Sequence, residues 1–379
     1  MKKTFSIILG CCLIVGVVFL GTGCGSKNNN ENEEAVTQDR AISIDSSITE
    51  SIDAVFDKLN SGAIGEEEAV ESIKEIIPKP ADHPDYPKSN VNWVIGWGEG
   101  GGSDLYARNI GREAEKFLGK SFVYNNMPGA GSEVGYSFVL GQPADGYTIF
   151  GTVNPNMCND AFGDVPYSFA EETQFIISNQ GSSEALWVLA DSPFKTIDDL
   201  VKYAKENPGD VVYSGSAAKS ETELSFYLME NHYDIDMTYL GFEKAGERVS
   251  SLLGGHAQVL YESVGPVADL IRAGEVRPIV YLGANVYDGI DPDVPSSEQI
   301  GLPSVPRYRG VVAKNGLPVD ITEYLYYVFY AGAQMPVYKQ YEERANLHYS
   351  QPWSLDPLEF KAYYLENKKK LGEIIEKNY

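Results

Sequence analysis

A glycine-rich loop at residues 96–104 offers the residue types best suited to binding a small molecule. It reads Gly-Trp-Gly-Glu-Gly-Gly-Gly-Ser-Asp and lies between an apolar, strand-like run that ends at Ile95 and a predicted helix that begins near Leu105. Consecutive glycines let backbone N–H groups turn toward a ligand, and the start of a helix adds partial positive charge. An anion could therefore bind here without a cationic side chain.

Two other interpretations of this loop remain open. Gly96, Gly98 and Gly101 fit the G-x-G-x-x-G spacing of dinucleotide-binding loops, but that motif expects an acidic residue after the second strand. The predicted second strand continues into two asparagines at residues 125–126 instead, which disfavours a dinucleotide. The loop could also be a tight structural turn in which Asp104 caps the following helix.

No arrangement of residues in the sequence indicates catalysis. The four histidines are scattered, without the spacing of metal ligands or of a nucleophile and its base. Cys158 has no histidine near it in sequence and fits a small buried residue, and the carboxylates of residues 288–293 fit a proline-shaped turn better than a calcium loop. We therefore expect no enzymatic activity, no cofactor and no metal. The histidines are His83, His232, His256 and His348.

Length and charge narrow the classes of protein further. The 379 residues suffice for two domains of ordinary size. The chain carries 54 acidic and 30 basic residues, for a formal net charge of -24. Phosphate binding needs clustered Lys and Arg, so this charge argues against a nucleic-acid partner.

The N-terminus resembles a bacterial lipoprotein signal. Two lysines follow Met1, an apolar run covers residues 5–20, and the sequence Leu-Gly-Thr-Gly leads to Cys24. We expect residues 1–23 to be removed, Cys24 to be acylated and residues 24–40 to form a flexible tether on the outer face of the bacterial cell membrane. A membrane-spanning helix is the alternative, although the run is short and contains glycines.

The remaining elements predict an α/β protein with two lobes. Residues 41–87 contain two helical patterns and are predicted to form an accessory helical segment. From Val91 onward, short β-type runs alternate with helical stretches, and a second such series begins near Leu186, as expected for parallel sheets flanked by helices. The prediction is a periplasmic-binding-protein-like (Venus flytrap) fold in which each lobe is a mainly parallel sheet flanked by helices. Lobe one is predicted to comprise residues 88–190 and 308–379, and lobe two residues 191–307.

Seven motifs, taken in order along the chain, resemble those of a known receptor family. This family is the tripartite tricarboxylate transporter receptors, also called Bug-type solute-binding proteins, and the resemblance covers residues 91–318. It implies a two-lobed receptor that passes a carboxylate to a membrane permease. The motifs are GGGSD at 100–104, NMPGAG at 126–131, DGYT at 145–148, TIDDLVKYAKENPG at 196–209, LLGG at 252–255, GEVRP at 274–278 and PDVP at 292–295.

The resemblance also implies which residues face the solute. The first glycine loop and the turn after the DGYT strand would form one wall, and loops of the second lobe would form the other. We expect few charged contacts, because backbone N–H groups, hydroxyls and ordered water would hold the carboxylate. The implied ligand-binding residues are Gly100, Gly101, Gly102, Ser103, Asp104, Thr152, Asn154, Ser214, Gly215, Ser216, Lys219, Ser220, Thr222, Phe242 and Glu262.

The second wall departs from the family pattern. Lys219 stands where a glycine is usual, and residues 242–244 read Phe-Glu-Lys in place of Tyr-Lys-Gly. The ammonium of Lys219 could supplement backbone donors, or it could be solvated at the surface. A neutral or zwitterionic solute also stays open, with Asp104 or Glu262 as the acceptor for an amino group. A receptor that presents its bound form to a membrane signalling protein is a second possible function.

Overall fold

A computed structural model of the chain describes residues 41–163, 165–181, 184–216, 218–242, 244–283, 291–305, 307–344 and 354–378. The predicted signal, the lipidation site Cys24 and the tether lie outside the described residues. So do His348 and the first part of the predicted turn at residues 288–293.

Within the described ranges, ten strands form two separate five-stranded sheets. In the first sheet the order is β2-β1-β3-β10-β4, and in the second it is β7-β6-β8-β5-β9. The strands are β1 (Val91–Ile95), β2 (Phe122–Asn126), β3 (Thr148–Val153), β4 (Thr173–Gly181), β5 (Glu184–Leu189), β6 (Val212–Gly215), β7 (Thr238–Gly241), β8 (Val259–Ser263), β9 (Val276–Leu282) and β10 (Tyr308–Lys314).

Four of the five strands in each sheet run in the same direction. In the first sheet β1 pairs in parallel with β2 and β3, while β10 is antiparallel to both β3 and β4. In the second sheet β6 pairs in parallel with β7 and β8, and β5 is antiparallel to β8 and β9. The predicted α/β class with two mainly parallel sheets is therefore confirmed.

Helices cover both faces of these sheets. Trp93 and Val94 are neighbours in β1 and are both fully buried, but they belong to different apolar clusters because successive side chains of a strand point to opposite faces. Strands buried on both faces are rich in apolar residues, and β1 and β8 are buried along most or all of their length, although β1 contains Asn92 and β8 ends with Glu262 and Ser263. The helices are α1 (Ser46–Asn60), α2 (Glu66–Ile76), α3 (Gly102–Leu118), α4 (Glu133–Leu140), α5 (Asn154–Phe162), α6 (Phe169–Glu172), α7 (Ile197–Glu206), α8 (Glu221–Tyr233), α9 (Ala245–Leu253), α10 (Val264–Ala273), α11 (Val319–Gln334), α12 (Pro336–Arg344) and α13 (Pro357–Asn378), with a short 3-10 turn at Ala130–Ser132.

The accessory segment packs onto the first lobe. Ile52 and Phe56 of α1 and Ile73 of α2 are buried in the same cluster as Trp93 and Phe329 of the first lobe. Helix α1 begins after Asp45, whose carboxylate accepts a hydrogen bond from Ser47 N. Among the described residues, no helix combines the length and the apolarity needed to cross a bilayer.

The chain passes twice between the two sheets. The first passage joins β4 to β5, and the second joins β9 to β10, after which α11 to α13 complete the first lobe. Strand β5 pairs with β8 and β9, so the first passage lies between β4 and β5, one strand earlier than the predicted boundary at residue 190. Only two residues, both serines, separate β4 from β5 in the sequence, which gives little sign of a change of lobe.

Candidate ligand-binding site

The topology brings the predicted site loops to one edge of each sheet. The carboxyl ends of β1, β2 and β3 share an edge with the start of β10 and the end of β4. In the second sheet, the carboxyl ends of β6, β7 and β8 share an edge with the start of β5 and the end of β9. Both passages of the chain between the lobes leave from these edges. The predicted site loops of each lobe therefore lie at the edge where these two passages begin or end. Ligands of open α/β sheets bind at this kind of edge.

The glycine loop is closed by the carboxylate of Asp104. Gly100 adopts a left-handed φ of +74°, and its N–H donates to Oδ2 of Asp104 at 2.9 Å. The other carboxylate oxygen accepts from Arg108 Nε at 2.8 Å and from Asn126 Nδ2 at 3.0 Å. Burial alone would raise the pKa of Asp104, but these hydrogen bonds together lower it. Asp104 thus shapes the loop, while the backbone of Gly101 at its tip is exposed.

Thr152 and Asn154 lie at the end of β3 and are fully enclosed by protein. Asn154 Oδ1 accepts from the backbone N–H of Tyr308 at 2.8 Å, which ties the start of α5 to β10. Thr152 Oγ1 donates to Asn156 Oδ1 at 3.3 Å and lies 3.4 Å from Tyr308 Oη. Both predicted side chains therefore hold this edge of the first sheet together.

The loop after β6 is held by a compact network of hydroxyl groups. Ser216 N donates to Thr222 Oγ1 at 2.7 Å, and Tyr239 Oη donates to Ser216 O at 2.7 Å. A Cβ atom on Gly215 would lie 2.5 Å from Tyr239 Oη and 2.8 Å from Thr222 Oγ1, so this position requires glycine. Ser214 is fully buried beneath the loop, where its Oγ accepts from Ser251 Oγ at 2.9 Å.

The start of α8 lies next to this loop. Ser220 is the N-cap residue, and its Oγ accepts from Glu223 N at 3.4 Å. Lys219 is exposed, has a φ of +60°, and donates its backbone N–H to Glu223 Oε2 at 2.6 Å. Its ammonium nitrogen lies 5.6 Å from the ring centroid of Phe162.

Helices α5 and α8 connect the two predicted walls. Leu224 of α8 is fully buried in the cluster that contains Met157 and Cys158 of α5. Lys219 and Phe162 form a second contact between the same two segments. The helix that follows the first predicted wall therefore packs directly against the helix that follows the second.

Glu262 is paired with an arginine from its own lobe. Its Oε2 accepts from Nε and Nη2 of Arg248 at 2.9 and 2.6 Å, and its side chain is only 3% exposed. Arg248 also donates to the carbonyl of Phe242, whose N–H in turn bonds to Gly215 O. Glu262 and Asp104 are thus both neutralised by arginines. This pairing disfavours either carboxylate as the acceptor for an amino group of a solute.

Two arginines at the start of β10 were missed by the sequence analysis. Arg307 pairs with Glu184 and Glu221, which come from β5 and α8. Burial would lower the pKa of Arg307, but the two carboxylates raise it well above its usual value, so the guanidinium stays charged. Arg309 donates from Nη1 to Gln180 Oε1 at 2.7 Å. The sequence signal that could have identified them is the placement of these two arginines on either side of Tyr308, at the predicted boundary between the lobes.

Two cavities lie away from these loops. One, of about 450 Å³, separates residues 82–88 of the accessory segment from the first lobe, and the other, of about 340 Å³, lies between α8 and α13. Neither contains a predicted site residue. We therefore place the candidate site at the facing sheet edges on the basis of topology and contacts.

Comparison with known proteins assigns the family. Residues 106–379 match the family described as tripartite tricarboxylate transporter family receptor. The UPF0065 protein of the gbd 5' region of Cupriavidus necator is 26% identical over 302 residues, which cover 79% of this chain and 91% of that protein.

Two solved structures share the fold. MatC from Rhodopseudomonas palustris with bound malate aligns with a TM-score of 0.67 and 20% identity, covering 76% of this chain and 100% of MatC. Protein Rpa4515 of R. palustris with adipate aligns with a TM-score of 0.69 and 22% identity, covering 77% of this chain and 98% of that one. The family match extends beyond the predicted resemblance to the C-terminal helices. The chain therefore belongs to the tripartite tricarboxylate transporter receptor family.

Proposed function

We propose that this chain is a lipid-anchored extracytoplasmic receptor that encloses a small carboxylated solute between its lobes and delivers it to a membrane permease of the tripartite tricarboxylate type. One observation carries the proposal. In a chain of this family, glycine-containing loops lie at the carboxyl edges of two sheets, and both passages between the lobes leave from these edges. The exposed backbone of Gly102, at the start of α3, supplies an N–H donor there, whereas the N–H of Gly101 already donates to Gly98 O at 3.4 Å.

A carboxylate suits this site better than a cation or a zwitterion. The carboxylates of Asp104 and Glu262 already have arginine partners, whereas backbone N–H groups remain as donors for an anion. MatC and Rpa4515, which share the fold, have malate and adipate bound. The net charge of -24 opposes an anion only weakly, because exposed charges farther away than about 8 Å are largely screened at physiological ionic strength.

We propose that the solute leaves the receptor unchanged. Within the described ranges, no group of three His, Cys, Asp or Glu side chains could hold a metal ion. Cys158 is fully buried, and burial raises the pKa of its thiol well above the usual value, so its reactive thiolate is disfavoured. Ligand capture by lobe closure needs neither group.

A thermal-shift screen tests the binding proposal. Purified protein without its signal would be mixed with dicarboxylates, tricarboxylates, aromatic acids and amino acids. A solute at about 100 times its Kd stabilises the folded state by about 2.7 kcal/mol, so a correct solute should raise the melting temperature by several degrees. A screen in which no carboxylate raises the melting temperature would refute the proposed solute class.

The lipid anchor is tested separately. We expect the full chain, expressed in bacteria, to incorporate radiolabelled palmitate and to fractionate with membranes. Cys24→Ser should abolish both, while Cys158→Ser, which changes a buried cysteine, serves as the matched control. Labelling that survives Cys24→Ser would rule out this attachment site.

A further inference from the structure

Arg309 differs from the other arginines near the site because no carboxylate among the described residues forms an ion pair with it. Arg108, Arg248 and Arg307 each form an ion pair with Asp or Glu. Arg309 forms none within the part of the chain that the structure describes, although the protein carries a net charge of -24. Half-buried cations are costly to leave unpaired. The guanidinium of Arg309 is therefore a positive charge that the protein itself does not neutralise.

The guanidinium is held in one orientation. Its Nη1 donates to Gln180 Oε1 at 2.7 Å, and Gln180 is itself fixed by a 3.0 Å hydrogen bond from Nε2 to Tyr338 Oη. Glu342 joins the far side of this network, 3.5 Å from Gln180 Nε2, and burial raises the pKa of this carboxyl. Gln180 is an amide, so it positions Arg309 without cancelling its charge.

The other end of the guanidinium touches the glycine loop. A Cβ atom on Gly102 would lie only 2.8 Å from Nη2 of Arg309, so the absence of a side chain at Gly102 makes room for this nitrogen. Gly102 does not need glycine for its backbone, since it is the first residue of α3 and its φ is not left-handed. The close approach of Arg309 thus gives a specific reason for glycine here.

We infer that Arg309 binds a carboxylate of the solute and determines that the receptor selects anionic over neutral compounds. This inference rests on the proposed function and departs from the expectation that binding uses few charged contacts. Arginine presents planar N–H donors that match a carboxylate, and such charge-assisted hydrogen bonds are about twice as strong as neutral ones. Arg307, two residues earlier, cannot take this role because Glu184 and Glu221 already occupy it.

Paired ligands and a charge-removing variant test the inference. Isothermal titration would measure the affinities for succinate, malate and adipate, and for the monoamide of each acid, which lacks one negative charge. Arg309→Gln should weaken binding of the dicarboxylates about 10- to 100-fold and weaken binding of the monoamides much less, so that the preference for the dianion is lost. Arg272→Gln is the matched control, because Arg272 is exposed and pairs with the exposed Asp269 of its own helix, and it should leave every affinity unchanged.

A second variant keeps the test decisive if Arg309→Gln fails to fold. Gly102→Ala retains the arginine, but its methyl group must displace Nη2, so it should reduce the same preference in a folded protein. A folded Arg309→Gln or Gly102→Ala protein that keeps the wild-type preference would overturn the role of Arg309 and leave the proposed function intact. A wild-type protein that binds no carboxylate of the thermal-shift panel would instead overturn both.

Discussion

Replacing Arg307 with methionine should destabilise the receptor strongly. Arg307 lies on the second passage between the lobes and pairs with two carboxylates whose side chains are 2% and 3% exposed. Methionine fills a similar length without charge, so Glu184 and Glu221 would lose their guanidinium while staying buried. Breaking a buried ion pair by removing one partner costs about 3–5 kcal/mol. That loss is a large part of a typical stability of about 5–15 kcal/mol.

The assay is urea unfolding. At about pH 7.5 we expect Arg307→Met to lower the free energy of unfolding by about 3–5 kcal/mol. Adding Glu184→Gln and Glu221→Gln to the variant should restore most of the lost stability.

Arg272→Met provides the control for a charge change at the surface. Its partner Asp269 is 92% exposed, and exposed pairs contribute little to stability, so this variant should unfold like the wild type. A loss below about 1 kcal/mol for Arg307→Met would refute the reasoning.

Three further predictions concern the site loops. Gly215→Ala should lower the free energy of unfolding by about 1–3 kcal/mol and weaken solute binding, because the added Cβ would lie 2.5 Å from Tyr239 Oη. Gly265→Ala, where the added Cβ has open space around it, should change neither stability nor binding. Asp104→Asn should lower the free energy of unfolding by about 1–3 kcal/mol near neutral pH. Because the pKa of Asp104 is lowered in the folded protein, its carboxylate stabilises the fold above the unfolded pKa of about 3.9, and this stabilisation is lost as pH falls through the folded pKa. The difference in stability between the variant and the wild type should therefore vanish in acid. Lys219→Ala should change dicarboxylate affinity by less than about fivefold, since the exposed ammonium is screened, and a larger loss in titration calorimetry would favour direct contact.

The fold was predictable from the sequence because its signals are local. Alternation of apolar strands with amphipathic helices does not depend on tertiary contacts, and motifs such as DGYT at residues 145–148 mark the ends and starts of elements. The passage between β4 and β5 was not predictable in the same way. The two strands are nearly contiguous in the sequence, and only pairing with β8 and β9 shows that β5 belongs to the second sheet.

The site was predictable only in part, because charge pairing depends on partners distant in sequence. The glycines at 100–102 and Gly215 stand out by residue type alone. The pairing of Glu262 with Arg248 is formed between different elements, and it removes a carboxylate that sequence analysis had left available to a solute. Arg309 reaches Gly102 across about two hundred residues of chain, so no local pattern could show that its charge lies beside the loop.

The contact of α8 with α5 bears on how the receptor can release its cargo. With Leu224 inserted among first-lobe side chains, the lobes have a third attachment besides the two passages of the chain. Withdrawing a fully buried leucine costs about 1.5–3 kcal/mol, so wide opening is uphill in the isolated receptor and small sliding movements are favoured. Handover of the solute would then be driven by the permease, which must supply the energy that separates these helices.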